Sequence, residues 1–156
     1  MAYIADDDPE VEGCPFCVLP ERGEQADADS LILHRGASAY VILNAYPYNP
    51  GHLMIVPYRH LGDYEELSRE ELVELAELGQ RAVGALRETS GAQAFNLGVN
   101  AGGASGAGIA DHLHQHVVPR WGGDTNFITV IGQTRILPEL REETYERLAP
   151  YFAARS

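Results

Sequence analysis

The sequence predicts an α+β fold, a mainly antiparallel sheet with one long helix packed on it and a second helix toward the C-terminus. Three observations carry this expectation. Two β-rich runs, 38–44 and 52–57, flank a Pro/Asn/Gly turn cluster from Ala45 to Gly51, as an antiparallel pair would. A 3.6-residue apolar stripe passes through Leu72, Leu75, Ala76, Gly79, Ala82, Val83 and Leu86. A run alternating in period two, Asp111 to Arg120, reads as a further strand. Strands mixed with one long helix and joined by short links define the α+β class.

Taken in order, residues 1–30 are polar and acidic, contain Pro9, Pro15 and Pro20, and are expected to be extended without regular structure. Residues 31–156 are expected to form one domain, since 156 residues with 45% hydrophobic side chains suffice for a single packed core. Ser68-Arg69-Glu70-Glu71 has capping-box spacing, with Ser68 capping the long helix and Glu71 reaching back. Thr89-Ser90-Gly91 stops it. Residues 93–99 are a third strand candidate, followed by Asn100 and a glycine-rich loop, Ala101 to Gly108. Pro138 to Phe152 reads as helix, with Leu140, Tyr145, Leu148 and Phe152 as candidate buried positions.

Composition narrows the chemistry. All 11 cationic side chains are Arg, against 23 carboxylates, for a formal charge of −12. Without Lys there is no Schiff-base lysine, no lysine base and no P-loop of the G-x-x-x-x-G-K-[ST] kind. The acidic balance argues against a nucleic-acid-binding surface. Residues 1–30 hold nine acids and one Arg, and 63–91 hold eight acids and three Arg. By contrast 31–62 contain two Arg and no acid, and 92–135 are balanced; these two stretches carry the histidines. An anionic substrate is therefore repelled by much of the surface but not by this pair of segments. No apolar run approaches the ~18 residues of a membrane span. The start of the chain lacks a basic n-region and an apolar h-region, and two Cys make no disulfide framework, so a cytoplasmic protein is expected.

His112, His114 and His116 occupy positions i, i+2 and i+4, so on a strand all three imidazoles project to one side, about 6.5–7 Å apart. Three aligned histidines are costly to bury without partners, and His titrates near neutrality. A mononuclear metal site using all three is disfavoured, because that spacing is wide for metal–nitrogen bonds of about 2.0–2.1 Å. The preceding glycines suit an anion, since Gly permits positive φ and close approach, and successive N–H groups can cradle phosphate without any Lys.

Together these residues resemble the histidine triad (HIT) superfamily of nucleotide hydrolases and transferases. The likeness spans about residues 14–127 and rests on Asn44, Asn49-Pro50-Gly51-His52, Asn100 with its glycine loop, and the run His112-Leu113-His114-Gln115-His116-Val117-Val118. The tail Pro119 to Phe127 resembles the bacterial branch that includes diadenosine tetraphosphate phosphorylases. The resemblance implies a five-stranded antiparallel sheet and a homodimer. It implies that His114 is the nucleophile, forming a nucleotidyl-histidine intermediate, and that His116 and His52 bind the reacting phosphate or assist the leaving group. Asn44 matches a ribose contact and Asn100 a side chain near the α-phosphate, with backbone N–H groups of Gly106, Ala107 and Gly108 around the anion. Where many members carry Gln or Ser, this chain has Gly108, so a side-chain phosphate donor is missing and backbone must compensate. Arg120 could fork onto a phosphate or cap the strand end. Trp121, Tyr46 and Tyr48 read as packing residues, with base stacking the other possibility. His34 matches no family position and is expected at the surface.

Cys14-Pro15-Phe16-Cys17 is a second motif. A C-x-x-C in a reduced compartment indicates metal or redox chemistry, and a redox pair would be expected to open a helix after a strand. In the Cys-containing branch of the family such a pair binds structural zinc with two His, and the matching positions are His60 and His112. Cys14, Cys17, His60 and His112 would close a tetrahedral shell with no position left for substrate.

The resemblance thus points to an enzyme that cleaves dinucleoside polyphosphates, diadenosine tetraphosphate above all, by phosphorolysis or hydrolysis. The alternatives are a nucleoside phosphoramidate hydrolase using the same nucleophile, and a nucleotide-binding module with little catalysis. A uridylyltransferase role fits less well, because that family has Gln at the position of His116. The expected partners are a nucleotide and a second copy of the chain, with neither nucleic acid nor membrane.

Overall fold

The computed structural model describes residues 13–124 and 139–153. The acidic run at 1–12, the tail residues Thr125, Asn126 and Phe127, and Pro138 lie outside the described residues. Five strands, β1 (Ile32–Arg35), β2 (Ala39–Leu43), β3 (Leu53–Pro57), β4 (Ala94–Val99) and β5 (Gln115–Arg120), form one antiparallel sheet in the order β1-β2-β3-β5-β4. Three α-helices are described: α1 (Pro15–Glu21), α2 (Arg69–Ser90) and α3 (Arg141–Ala153). The expected α+β architecture holds.

Period-two alternation assigns each strand residue to one of two cores. Val41, Leu43, Leu53, Ile55 and Val117 pack with Leu75, Leu78, Ala82 and Leu86 of α2 and with Leu148 and Phe152 of α3. Their neighbours Tyr40, Ile42, Met54 and Val56 face the other way, onto Phe16 of α1. Both faces of β2 and β3 are therefore buried, which is why these runs are apolar throughout.

The capping box is complete: Ser68 Oγ accepts from the Glu71 N–H, and Glu71 returns the bond to the Ser68 N–H. Gly91 closes α2 in the left-handed region, at φ 61°. The buried stripe is rotated from the expected one. Leu78 and Ala85 are inside, while Leu72 is 39% exposed and Ala76 is exposed. Glu71 takes the inward position instead, paired with Arg59 at 2.8 Å. In α3, Leu148 and Phe152 are buried as expected, but Leu140 precedes the helix and is exposed.

Three further expectations are corrected. Part of the N-terminal segment is helical, α1 with Pro15 in its first turn and a short 3-10 turn at Glu24–Ala26; Pro fits the first turn because its missing N–H has no partner to lose there. The edge strand β1 was not anticipated, since it has only four residues and its pairing with β2 is interrupted by a bulge. His34, on β1, is half-buried rather than solvated, stacking on Phe152 beside Arg81.

Candidate active site and metal centre

The sheet face opposite α2 collects the histidines. The ladder of β5 begins only at Gln115, so His112 and His114 precede the strand proper. That extended approach is held by the Leu113 N–H donating to the Leu61 carbonyl at 2.7 Å, and the alternation persists. Leu113 enters the helix-side core, while His112, His114 and His116 are buried on the other side. His52 reaches the same face through a turn in which its N–H bonds the Asn49 carbonyl at 3.1 Å. Pro50 and Gly51 make the bend. Gly51 has φ +82°, a conformation that favours glycine, and a Cβ there would lie 2.8 Å from the end of the Leu86 side chain, which would have to shift.

Hydrogen bonds fix the tautomers. His114 Nδ1 lies 2.9 Å from the His112 carbonyl and can only donate to it, which leaves the lone pair on Nε2. His52 Nδ1 accepts from the Tyr48 N–H at 3.1 Å and faces the Asn44 amide nitrogen at 3.3 Å. The His52 proton is therefore on Nε2, which donates to His116 Nδ1 at 3.0 Å. His116 in turn carries its proton on Nε2; the Asn100 amide nitrogen lies 3.5 Å from it, so the amide must turn its oxygen inward to accept that proton. The outcome is a ring nitrogen with a lone pair on His114 beside a ring N–H on His116, their centroids 4.8 Å apart. Chemically, that is a nucleophile next to a hydrogen-bond donor.

Burial holds the His112 and His114 imidazoles below the usual His range, opposed by the carbonyl each one bonds. Burial and the neighbouring His114 bring His116 down to about 4. A His whose folded pKa is depressed contributes stability that is intact above its unfolded value near 6.5 and is lost as pH falls from there toward 4. From this one group, by pH 5, the loss is about 2 kcal/mol. Urea unfolding at pH 7 and pH 5 should show wild type losing about that much more than a His116→Gln variant. Equal losses would show that His116 is not buried as a neutral ring.

The second cluster lies behind His112. Ligand atoms of Cys14, Cys17, His60 and His112 all fall within 4.8 Å of one another. Sulfur-to-nitrogen separations are 3.3 Å for Cys14–His112, 3.4 Å for Cys17–His112 and 3.4 Å for Cys17–His60. A tetrahedral zinc with sulfur at ~2.3 Å and nitrogen at ~2.0–2.1 Å requires a separation of about 3.6 Å, so the set fits. His112 Nε2 donates to the Pro57 carbonyl at 2.9 Å, which turns Nδ1 toward the sulfurs. Burial first and the neighbouring Cys14 second push the Cys17 thiol up to about 11; a divalent cation is what would stabilise thiolates there. These four residues form a zinc-type ligand set in which every donor comes from protein, a structural rather than a catalytic arrangement.

The two clusters share one wall. Phe16, between the cysteines and 1% exposed, packs its ring 5.5 Å from His112 and 5.0 Å from His114. Its carbonyl accepts from the buried Tyr40 hydroxyl at 2.8 Å. Of the remaining expected site residues, Asn44 is buried against His52, and Gly106 to Gly108 border the His-bearing run on exposed or half-exposed backbone, with Gly106 at φ +84°. Arg120 is engaged, gripping Asp124 at 2.6 and 2.8 Å and Asn96 at 2.9 Å. Trp121 packs on the helix-side core and donates to the Ser90 carbonyl, while Tyr48 stacks on His52 at 4.9 Å. Sequence reasoning missed Phe16 and Asp124 as neighbours of the site, and read Tyr48 for packing or base stacking rather than as the ring that stacks on His52. Only for Asp124 was there a local signal, an acid four residues after Arg120 across Gly122-Gly123.

The sequence profile of the HIT domain matches residues 25–123, and the chain belongs to that family. Over 157 aligned residues it is 42% identical to a protein named AP-4-A phosphorylase from Mycobacterium tuberculosis, covering 98% of this chain and 80% of the relative. Among solved structures it resembles a zinc-bound histidine triad family protein from Mycobacterium smegmatis, at 28% identity and TM-score 0.72, covering 91% of this chain and 94% of the other. It also resembles a hypothetical histidine triad nucleotide-binding protein from Sulfolobus tokodaii, at 26% identity and TM-score 0.68 with 90% of each chain covered.

Proposed function

We propose that this protein cleaves dinucleoside polyphosphates, diadenosine tetraphosphate foremost, through a nucleotide carried covalently on His114. The observation that carries the proposal is the His114 Nδ1–H bond to the His112 carbonyl at 2.9 Å, which leaves the lone pair on Nε2 of a neutral imidazole. His114 Nε2 attacks the α-phosphorus, forming a P–N bond. The bond to the bridging oxygen breaks, and its electron pair leaves with the nucleoside triphosphate. His116 Nε2–H faces that oxygen, and His52 holds the His116 tautomer. Asn44 serves the ribose side, and Asn100 with the N–H groups of Gly106, Ala107 and Gly108 receives the phosphate, in place of the Lys this chain lacks. Attack by phosphate or water on phosphorus then restores His114. The similarity to the M. tuberculosis phosphorylase favours phosphate as the acceptor.

The Cys14, Cys17, His60 and His112 set would hold zinc, in keeping with the zinc-bound M. smegmatis relative, and would clamp the N-terminal arm to the 31–156 domain. β4 lies at a sheet edge with Leu97 half exposed, which suits pairing with a second copy as a homodimer. No described helix is long and apolar enough to cross a membrane. A zinc-ligating thiol pair suits a reducing compartment, and we place the protein in the cytoplasm.

Incubation with diadenosine tetraphosphate, with and without inorganic phosphate, should yield ADP plus ATP when phosphate is present. AMP plus ATP alone would make the protein a hydrolase. Turnover only of an adenylyl phosphoramidate would make it a phosphoramidase, and tight AMP binding without any turnover would leave a binding module.

A further inference from the structure

Arg120 lies on the histidine side of β5, four residues and therefore about 13 Å of backbone beyond His116. Its guanidinium is occupied. Nε and Nη2 fork onto the two Asp124 oxygens at 2.6 and 2.8 Å, and Nη1 donates to Asn96 on β4 at 2.9 Å. Asp124 is presented by a tight turn in which its N–H bonds the Trp121 carbonyl, with Gly123 at φ +84°. The carboxylate also accepts from the Trp121 N–H at 3.2 Å and from Asn49 Nδ2 at 3.0 Å. Three N–H groups thus converge on Oδ2 and one on Oδ1, and the Arg120 bonds hold the carboxyl well below the usual carboxylate range.

Asn49 is where this cluster meets the active site. The same Nδ2 donates to the Pro119 carbonyl at 2.9 Å, and the Asn49 backbone carbonyl accepts the His52 N–H that closes the Pro50-Gly51 turn. The adjacent Tyr48 N–H donates to His52 Nδ1, and His52 Nε2 donates to His116 Nδ1. A continuous path thus runs from the end of β5, through the loop before β3, and back to the middle of β5.

We propose that Asp124, clamped by Arg120 and gripping Asn49, is a positioning residue that sets the His52–His116 pair, and that Arg120 acts through Asp124 rather than on phosphate. The catalytic consequence rests on the role assigned above to His116; the positioning itself does not. Asp124→Asn removes the charge and replaces one of the two oxygens of the Arg120 fork by an N–H donor, so the fork cannot close. Asn49→Ala, the milder change, leaves the Arg120–Asp124 pair intact and cuts only its link to the loop.

Long-range 15N spectra of the histidine rings in the metal-loaded protein read the tautomers without any substrate. In both variants the His52 and His116 ring nitrogens should shift toward mixed tautomers, while those of His114 stay in place. Turnover should fall about 10–100-fold, as small misplacements of reacting groups do, with KM changed less than about threefold. The double variant should be no worse than either single one, because both cut the same path. Unchanged His52 and His116 signals in both variants would overturn the proposal, whatever the enzyme's substrate. A KM increase confined to Arg120→Lys, with Asp124→Asn neutral, would also overturn it and make Arg120 a phosphate contact. Shifted signals in a protein that turns over no dinucleotide would uphold the positioning and reject only the assigned reaction.

Discussion

Replacing Cys14 and Cys17 together by Ser is expected to strip bound zinc from about one per chain to near zero and to lower unfolding stability by more than about 3 kcal/mol. The reason lies in the size of α1. A seven-residue helix with a proline inside cannot hold itself together; besides the metal ligands, Phe16 and Leu19 in the second core, the Tyr40 hydroxyl on the Phe16 carbonyl and Arg35 on the Pro20 carbonyl tie it to the sheet. Losing the metal frees the segment that places Phe16 against His112 and His114. The His112 ring also loses its anchor on the Nδ1 side, and its carbonyl is the group that orients His114. Activity should therefore fall on the order of 10–100-fold, as it does when a supporting partner of a site is removed. Elemental analysis and urea unfolding on the same sample test this. Full metal content in the variant, or full stability and activity in its absence, would refute the assignment of the four ligands.

Substituting His114 by Ala should abolish turnover, by about 10⁴-fold or more, while leaving the fold intact. His114 is buried and touches Phe16, so Ala opens a small cavity, but among the described residues its one polar obligation is the bond to the His112 carbonyl. Nucleotide should still bind, because the contacts assigned to Asn44, Asn100 and the glycine loop do not involve His114. A His114→Ala protein that binds AMP normally and turns over nothing separates chemistry from binding. Retained turnover would move the nucleophile elsewhere, and lost AMP binding would make His114 a binding residue.

Much of this was legible because the relevant physics is local. The capping box of Ser68 and Glu71 needs three intervening bonds and no partner, and it forms as its spacing requires. The alternation of His112, His114 and His116 survives although the ladder starts late, because extended backbone puts i and i+2 on one side whether or not it is paired. What was not legible depends on distant partners. Phe16 is buried only because Ile32, Tyr40 and Met54 present a second apolar face, so a proline-flanked acidic segment becomes a short helix. Glu71 turned the α2 stripe by finding Arg59, and no periodicity could show that. Arg120 looked like a phosphate fork in a chain without Lys, yet its partner stood four residues on, across Gly122-Gly123. The metal set was readable by family likeness alone, since nothing in the spacing of Cys14, Cys17, His60 and His112 brings residues 98 apart within 3.3 Å.

The absence of Lys and the charge of −12 therefore fit a phosphate-handling site in which an imidazole forms the bond and backbone receives the anion. The most direct measurement is rapid quenching, under base, of the protein mixed with adenine-labelled diadenosine tetraphosphate, followed by peptide mapping. The result expected is acid-labile label approaching one AMP per active site on the peptide bearing His114, and none in His114→Ala. Steady turnover with no covalent label at any quench time, or label on a different residue, would contradict it.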